Sequence, residues 1–451
     1  MSKKSSLTRT IALELMMELE ADNQKLHILV RGTLDKYSYL DKRDRAFLQY
    51  LIEGTVTRRI TLDYIIDLYA GGKKIKPIIR NILRLSLFQI MYMDSVPDSA
   101  ACNEAVNLAI DNGLSGLKGF VNGLLRNVSR NKQELQWPDE NDTNMFYSAL
   151  YSIPPWMVKY LTNLYGKEDT RRILEASLER GQICLRFDER LTNEERVSII
   201  DQLIASGARI SKHPYLDYVY TTDRADIVAS STYFRDGAIT IQDISSVMAV
   251  ELAGIKAGDY VIDMCAAPGG KSVHASLKCG PNGHVEAREL QANKLHLIEE
   301  NAARMKADNI EVICQDATVV SQDSIDKADV VICDVPCSGL GVMGRKCDIR
   351  YNVSKGQLKD LQALGRAIID NGARYVKKGG ILLYSTCTIT REENLDNRQY
   401  ILDKGMFEPV SIEKNLPDEL RNTTGAEGYL QLLQGIHSSD GFFISVFRRI
   451  K

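Results

Sequence analysis

From residue 241 onward, short apolar runs alternate with stretches of helical period, and that order leaves few ways for the chain to fold. The runs are DYVIDMC (259–265), HVEARE (284–289), IEVICQD (310–316), DVVICD (329–334) and ILLYST (381–386). Helical segments separate most of them, which is the signature of βαβ units. The predicted class is therefore α/β, a Rossmann-like, doubly wound and mostly parallel sheet with helices on both faces. A last strand, GFFISVFRR (441–449), follows a long irregular stretch.

The preceding half reads differently. Residues 1–132 show apolar positions at helical spacing, as in IIRNILRLSLFQIMYM, with Gly71-Gly72 and Ser95-Val96-Pro97 as breaks. An all-α unit is predicted there, followed by a polar linker, SRNKQELQWPDENDTN (129–144). Residues 145–236 mix helical pieces with strand candidates QICLRFDE and YVYTTD, which implies a small α+β, RRM-like unit. The third domain is then 237–451. With 451 residues the chain is long enough for three such cores.

Several classes are excluded. No apolar run approaches the roughly 18 residues of a membrane-spanning helix. The start, MSKKSSLTRTIALELMMELE, is interrupted by Glu14, Glu18 and Glu20, so it reads as an exposed helix and not as a signal peptide. Nine scattered cysteines without a C-x-x-C pair argue against a disulfide framework or a zinc site and for a reducing cytoplasm. No metal is expected. The net charge of −2 rules out a uniformly basic nucleic-acid binder, although residues 1–130 carry 19 basic against 14 acidic side chains. That offset alone decides nothing.

The chemistry is concentrated where strands end. The first strand runs into DMCAAPGGKS (263–272), with glycines placed to let a ligand approach the backbone at a helix start. A P-loop requires Gly six residues before Lys271, but Cys265 stands there. A dinucleotide fingerprint requires G-x-G-x-x-G, which CAAPGG lacks. A nucleoside-type ligand remains, beside the plainer reading of a turn that only closes helix onto strand. Glu289 ends the second strand, where a ribose diol would lie, and Asp316 follows the third, where an adenine amino group could be read. Either acid alone reads first as a solvated strand end. Together with the loop they mark one edge of the sheet, the edge at which open α/β sheets bind ligands.

Two cysteines reach that same edge: Cys337 in DVPCSG after Asp334, and Cys387 in YSTCT. Cys333, Cys102 and Cys314 read instead as small buried hydrophobes.

The set DMCAAPGGKS, Glu289, Asp316, DVPCSG and YSTCT resembles the RNA cytosine-C5 methyltransferases of the NOL1/NOP2/Sun family across residues 237–449. In the N-terminal unit, DRAFLQYLIEGTVTRR, NEAVNLA and GFVNGLLRN resemble a NusB-type RNA-binding domain, the arrangement of the Sun/RsmB-type enzymes that modify small-subunit ribosomal RNA. The chain departs from the family pattern in Glu289, where aspartate is usual, and in Cys347, where proline is common. The resemblance implies S-adenosylmethionine as cofactor, held by Cys265, Ala266, Ala267, Pro268, Gly269, Gly270, Lys271, Glu289, Asp316 and Asp334. It implies Cys387 as the thiolate that adds to C6 of cytosine, Cys337 as the residue that assists release, and Asp334 at the N3/N4 edge of the base.

A base treated in this way must leave its stack, so a loop or a flipped nucleotide is the expected target. Arg58, Arg59, Lys73, Lys74 and Lys76 are the candidates for phosphate contacts, each of them equally a solvated charge. The expectation is a monomeric cytoplasmic enzyme acting on small-subunit rRNA. A tRNA-directed enzyme and a non-catalytic RNA-binding assembly factor remain as alternatives.

Overall fold

The run IIRNILRLSLFQIMYM is apolar around too much of its circumference for a surface helix, and such a helix has to be surrounded. In the computed structural model, which describes residues 3–22, 25–421 and 423–451, it lies within the helix Pro77–Tyr92 at the centre of the helical core. Pro77 opens this helix, where a missing N–H leaves no bond unmade. Its buried polar side chains are paired. Arg84 reaches Asp63 at 2.7 and 2.8 Å, Asn81 donates to Glu20 at 2.9 Å, and Gln89 accepts from Arg9 at 2.9 Å. The helix Lys42–Thr57 is capped by Asp41, which accepts the Asp44 N–H at 2.8 Å. It touches the central helix so closely that a Cβ on Gly54 would lie 1.9 Å from the Phe88 ring.

The first segment is helical, Lys3–Asp22, but it is not the exposed element that its glutamates imply. Ile11, Leu13, Leu15 and Met16 are buried in the helical core, while Glu14 and Glu18 face outward. The glutamates mark the outer face of an amphipathic helix. The polar linker is pinned in turn: Trp137 stacks on Tyr64 with ring centroids 5.9 Å apart, and Tyr64 donates to the Gln136 carbonyl at 2.7 Å.

The chain divides into two compact units, Met1–Glu179 with Met343–Asn352, and Arg180–Val342 with Val353–Lys451. The helices Thr143–Tyr151 and Pro155–Ala176 belong to the first unit. So does a distant ten-residue segment, and its side chains explain why. Arg350, fully buried, donates to the carbonyls of Ser177 at 2.6 Å, Cys347 at 3.1 Å, and Tyr151 and Met343 at 3.3 Å. Asp348 accepts the N–H of Leu26 at 3.0 Å, one of the unpaired donors at the start of the helix Leu26–Lys36. Tyr351 donates to the Thr57 carbonyl at 3.1 Å and carries the Arg59 guanidinium over its ring.

The second unit holds two sheets. The strands β1 (Ile183–Phe187), β2 (Ile210–Lys212), β3 (Val219–Thr222) and β4 (Ile239–Ile241) form an antiparallel sheet in the order β2-β3-β1-β4. The larger sheet contains β5 (Tyr260–Asp263), β6 (His284–Glu289), β7 (Ile310–Cys314), β8 (Ala328–Asp334), β9 (Val376–Thr386), β10 (Phe407–Pro409), β11 (Tyr429–Leu432) and β12 (Phe442–Arg449). Its order is β10-β12-β9-β8-β5-β6-β7, with β11 also on β12. The five strands β5 to β9 run parallel, and β12 returns antiparallel to β9. The order reverses between β5 and β8, which opens a crevice at their carboxyl ends. Cys314 is exposed rather than buried, because β7 is an edge strand. Among the described residues no helix is long and apolar enough to cross a membrane.

Arg350→Ala leaves several buried carbonyls without donors and is expected to destabilise the first unit by about 2–4 kcal/mol. A urea titration followed by circular dichroism measures this, and an unchanged midpoint would show that water replaces the guanidinium without cost.

Candidate active site

Parallel register sets the site. Asp334 on β8 lies opposite Ser385 on β9, and each strand leaves the sheet within a residue or two of that pair. Cys337 and Cys387 therefore emerge side by side, with their sulfurs 3.3 Å apart. Gly341 closes the same turn by donating its N–H to the Cys387 carbonyl at 3.1 Å. No side chain fits there, since a Cβ on Gly341 would meet the Gly441 carbonyl oxygen at 1.9 Å.

The motif after β5 supplies the cation. Lys271, in the first turn of the helix Gly270–Cys279, places its Nζ 2.7 Å from Asp334 Oδ2 and 3.2 Å from Ser246 Oγ. Ser385 donates to the other Asp334 oxygen at 2.8 Å. Burial opposes the charge on Lys271, but the Asp334 carboxylate outweighs it and holds the amine above its ordinary range. The ammonium also feels the Cys387 sulfur. The hydrogen bond to Cys387, followed by burial, pushes the Cys337 thiol well above the usual thiol range.

The cofactor loop, Cys265 to Gly270, fills the turn between β5 and that helix. Cys265 is half-buried, and burial raises its thiol, so it is a poor nucleophile. Gly269 has φ of +101°, a conformation that favours glycine, and packs against Ile298 of the helix Leu295–Met305. Glu289 is buried at the end of β6 and accepts the Gln291 N–H at 2.9 Å. Asp316 lies two residues beyond β7 and accepts the Thr318 hydroxyl at 2.7 Å and N–H at 2.8 Å. That hydroxyl bond lowers its pKa and keeps it ionised. Each acid thus spends one oxygen on its own turn.

Sequence reasoning missed several members of the site. Asp263, at the end of β5, is 1% exposed and accepts the Ser272 hydroxyl at 2.6 Å, while its Oδ1 is buried without a hydrogen-bond partner among the described residues. Burial pushes its pKa up to about 6. Its position inside DMCAAPGGKS was a visible signal. Glu393 and Asn394, buried beneath the cysteine loops, gave no signal within the polar run REENLDN.

The basic candidates lie in the first unit. Arg58 and Arg59 are half-buried over the rings of Tyr92 and Tyr351, at 4.6 and 3.9 Å. Lys73, Lys74 and Lys76 are exposed. Away from the cysteines, Glu189, Glu251 and His274 form a group with metal-ligand spacing among the described residues. Lys278 already supplies a cation there, with Nζ 2.7 Å from Glu189 and 2.6 Å from Glu251.

A switch-point crevice, a glycine loop at a helix start and acids ending successive strands define a Rossmann-like methyltransferase domain. Residues 250–448 match the family described as 16S rRNA methyltransferase RsmB/F, and residues 6–130 match the NusB family. A Bacillus subtilis (strain 168) protein, named as a probable ribosomal RNA small subunit methyltransferase B, is 33% identical over 451 residues, 99% of each chain. The crystal structure of PH0851 superposes with a TM-score of 0.79 at 20% identity, covering 100% of this chain and 99% of that one. NSun6 from Pyrococcus horikoshii, solved with SFG, gives 0.59 at 20% identity over 67% of this chain and 100% of its own. Those two likenesses speak for the fold. The chain belongs to the RsmB/F family of ribosomal RNA small subunit methyltransferases.

The cofactor of this family is S-adenosylmethionine, and the residues present fit it. Glu289 and Asp316 are acceptors at consecutive strand ends, and Asp263 leaves a buried carboxylate oxygen unbonded beside the loop among the described residues.

Because Asp263 titrates near 6 when folded and near 3.9 when unfolded, the native state binds the proton more tightly between those values. Its contribution to stability is greatest below the unfolded value and is lost as pH rises through about 6. Asp263→Asn should therefore raise stability at pH 7.5 relative to its effect at pH 4 by about 1–3 kcal/mol. Denaturant midpoints at both pH values measure this, and equal shifts at both would contradict the assignment.

Proposed function

We propose that this chain transfers a methyl group from S-adenosylmethionine to C5 of one cytosine in small-subunit ribosomal RNA, through a covalent bond between Cys387 and C6 of the base. The observation that carries this reading is the pair of thiols 3.3 Å apart beside the Lys271–Asp334 ion pair. One thiol suffices to attack a ring, and a second against it has a separate task.

Cytosine C5 is a weak nucleophile. When Cys387 adds its electron pair to C6, the C5–C6 π electrons become available at C5, which is covalent catalysis. The Lys271 ammonium favours the charged form of Cys387. Asp334, oriented by Lys271 and Ser385, holds the N3/N4 edge of the base. Bound S-adenosylmethionine supplies the electrophilic methyl carbon. The C5 proton then passes to solvent water, its bonding pair restores the C5–C6 double bond, and the Cys387 sulfur departs as a thiolate with the C6–S pair. Cys337 donates a hydrogen bond to that sulfur and eases its departure. Glu289 receives the ribose diol and Asp316 the adenine amino group. One extra methylene in Glu289, relative to the usual aspartate, changes reach and leaves the acceptor in place.

In this reading residues 1–132 bind RNA through backbone contacts and 237–451 carry the chemistry, while the stretch 145–236 is divided at Glu179 between the helical unit and the unit that holds the small sheet. Lys74 and Lys76 are better phosphate ligands than Arg58, Arg59 and Lys73, which already sit over aromatic rings. The enzyme works as a cytoplasmic monomer, and the absence of any disulfide among its nine cysteines fits a reducing compartment.

Labelled S-adenosylmethionine offered with unmodified small-subunit rRNA and, separately, with tRNA is the direct test. Label in a single rRNA cytosine is the expected result, and label in tRNA alone would overturn the substrate. Binding of the cofactor with no transfer to either RNA, or to ribosomal particles, would favour the assembly-factor alternative. Cys387→Ala is expected to abolish turnover, whereas Cys337→Ala should accumulate a protein–RNA adduct that survives denaturing electrophoresis. Glu289→Ala should weaken S-adenosylmethionine binding about tenfold, read by calorimetry, through loss of a charge-assisted hydrogen bond.

A further inference from the structure

Beneath the two thiols lies a carboxylate that the reaction as described does not use. Glu393 is 2% exposed. Its Oε1 accepts the Ser338 N–H at 2.8 Å, and its Oε2 accepts the hydroxyls of Ser338 at 2.6 Å and Thr390 at 2.7 Å. Ser338 directly follows Cys337. Its hydroxyl, committed as donor to Glu393, also lies 2.7 Å from the hydroxyl of Thr388, which directly follows Cys387. One carboxylate therefore holds the residue after each thiol, the first directly and the second through a single hydroxyl. The next residue, Asn394, repeats the tie on the β9 side. It accepts from Thr386 Oγ1 at 2.6 Å and donates to the Thr388 carbonyl at 3.1 Å.

All three partners of Glu393 are donors, which fits an ionised carboxylate, yet no salt bridge to it is found among the described residues. A buried charge without a cation is costly, and a mere tie between loops could be made by a neutral acceptor. The charge itself therefore calls for a use. Glu393 is bonded directly to the residue after Cys337, and the Lys271 ammonium interacts electrostatically with Cys387. When the thiol pair has lost one proton to solvent, the remaining proton is shared across 3.3 Å, and the two flanking charges bias its place in the same direction.

We propose that Glu393 is a positioning residue of this active site: it fixes the loops that carry both thiols, and its negative charge keeps the shared proton on Cys337, so that Cys387 is the sulfur that attacks. This rests on the cysteine roles given under Proposed function. Among the described residues, the titratable groups that act on the pair include Lys271, Asp334, Tyr384 and Glu393. Of these, Glu393 and Asp334 both raise the Cys337 thiol, after its bond to Cys387 and its burial.

The test needs no RNA. Full-length protein is treated with iodoacetamide across a pH series, and alkylation of each cysteine is followed by peptide mass spectrometry. In the parent protein Cys387 should react first, with its midpoint at the lower pH and about tenfold faster near neutrality. In Glu393→Gln, shown to be folded by circular dichroism, the Cys337 midpoint should fall and the preference for Cys387 should shrink at least threefold. Glu393→Asp, which keeps the charge, should retain most of the preference. Loosening of the loops alone would speed both thiols without moving the midpoints. An unchanged partition in Glu393→Gln, or the same loss in Glu393→Asp, overturns the role of Glu393 while leaving the cysteine assignment intact. Should Cys337 react first in the parent protein, the cysteine roles themselves fail, and that measurement requires no variant to fold.

Discussion

Two parallel strands, β8 and β9, run side by side with Asp334 opposite Ser385, and both turn out of the sheet just beyond that pair. The meeting of Asp334 with the two cysteines follows from this pairing. A shift of one residue would exchange the faces of the sheet that side chains occupy, and the two cysteines would no longer meet. The register is secured by the buried runs on either side, where Val331, Ile332 and Cys333 pair with Leu382, Leu383 and Tyr384. Gly341 and Gly441 add a backbone lock behind the turn, which leaves no room for a side chain.

Upon that frame the site separates charge. Lys271 and Asp334 satisfy each other at 2.7 Å, and Ser385 completes the carboxylate. Glu393 sits behind Cys337 without a cation among the described residues, and its burial raises its pKa against the pull of the Ser338 and Thr390 bonds. Two chemically identical thiols are thereby made unequal by their surroundings, in the way that paired groups acquire separate roles in acid–base sites. Asp263 is another buried acid, spent on the Ser272 hydroxyl beside the cofactor loop.

The helical unit follows the same logic of paired burial. Its central helix carries Asn81, Arg84 and Gln89 into the core only with partners waiting. The segment Met343–Asn352 belongs to this unit because Arg350, Asp348 and Tyr351 supply donors and an acceptor to helix ends and turns that would otherwise lack them. Nothing in GRKCDIR reveals that role in sequence, since an arginine in a short polar stretch is ordinarily solvated.

What the sequence determined by itself was whatever a local pattern carries. The strands β5, β6, β7, β8, β9 and β12 follow from apolar runs with period and punctuation, and the edge at which they end follows from the doubly wound order. The motifs DMCAAPGGKS, DVPCSG and YSTCT carry the family resemblance because they are short and contiguous. The short strands β2, β4, β10 and β11 escaped, being three or four residues long and dependent on their neighbours for pairing. Burial of the first helix, the exposure of Cys314, the anchoring of Arg350 and the place of Glu393 were decided only by tertiary structure. Each depends on which distant residue supplies the other half of a contact. A hydrogen bond between Glu393 and Ser338 spans 55 positions of sequence, and only the pairing of β8 with β9 brings them within 3 Å.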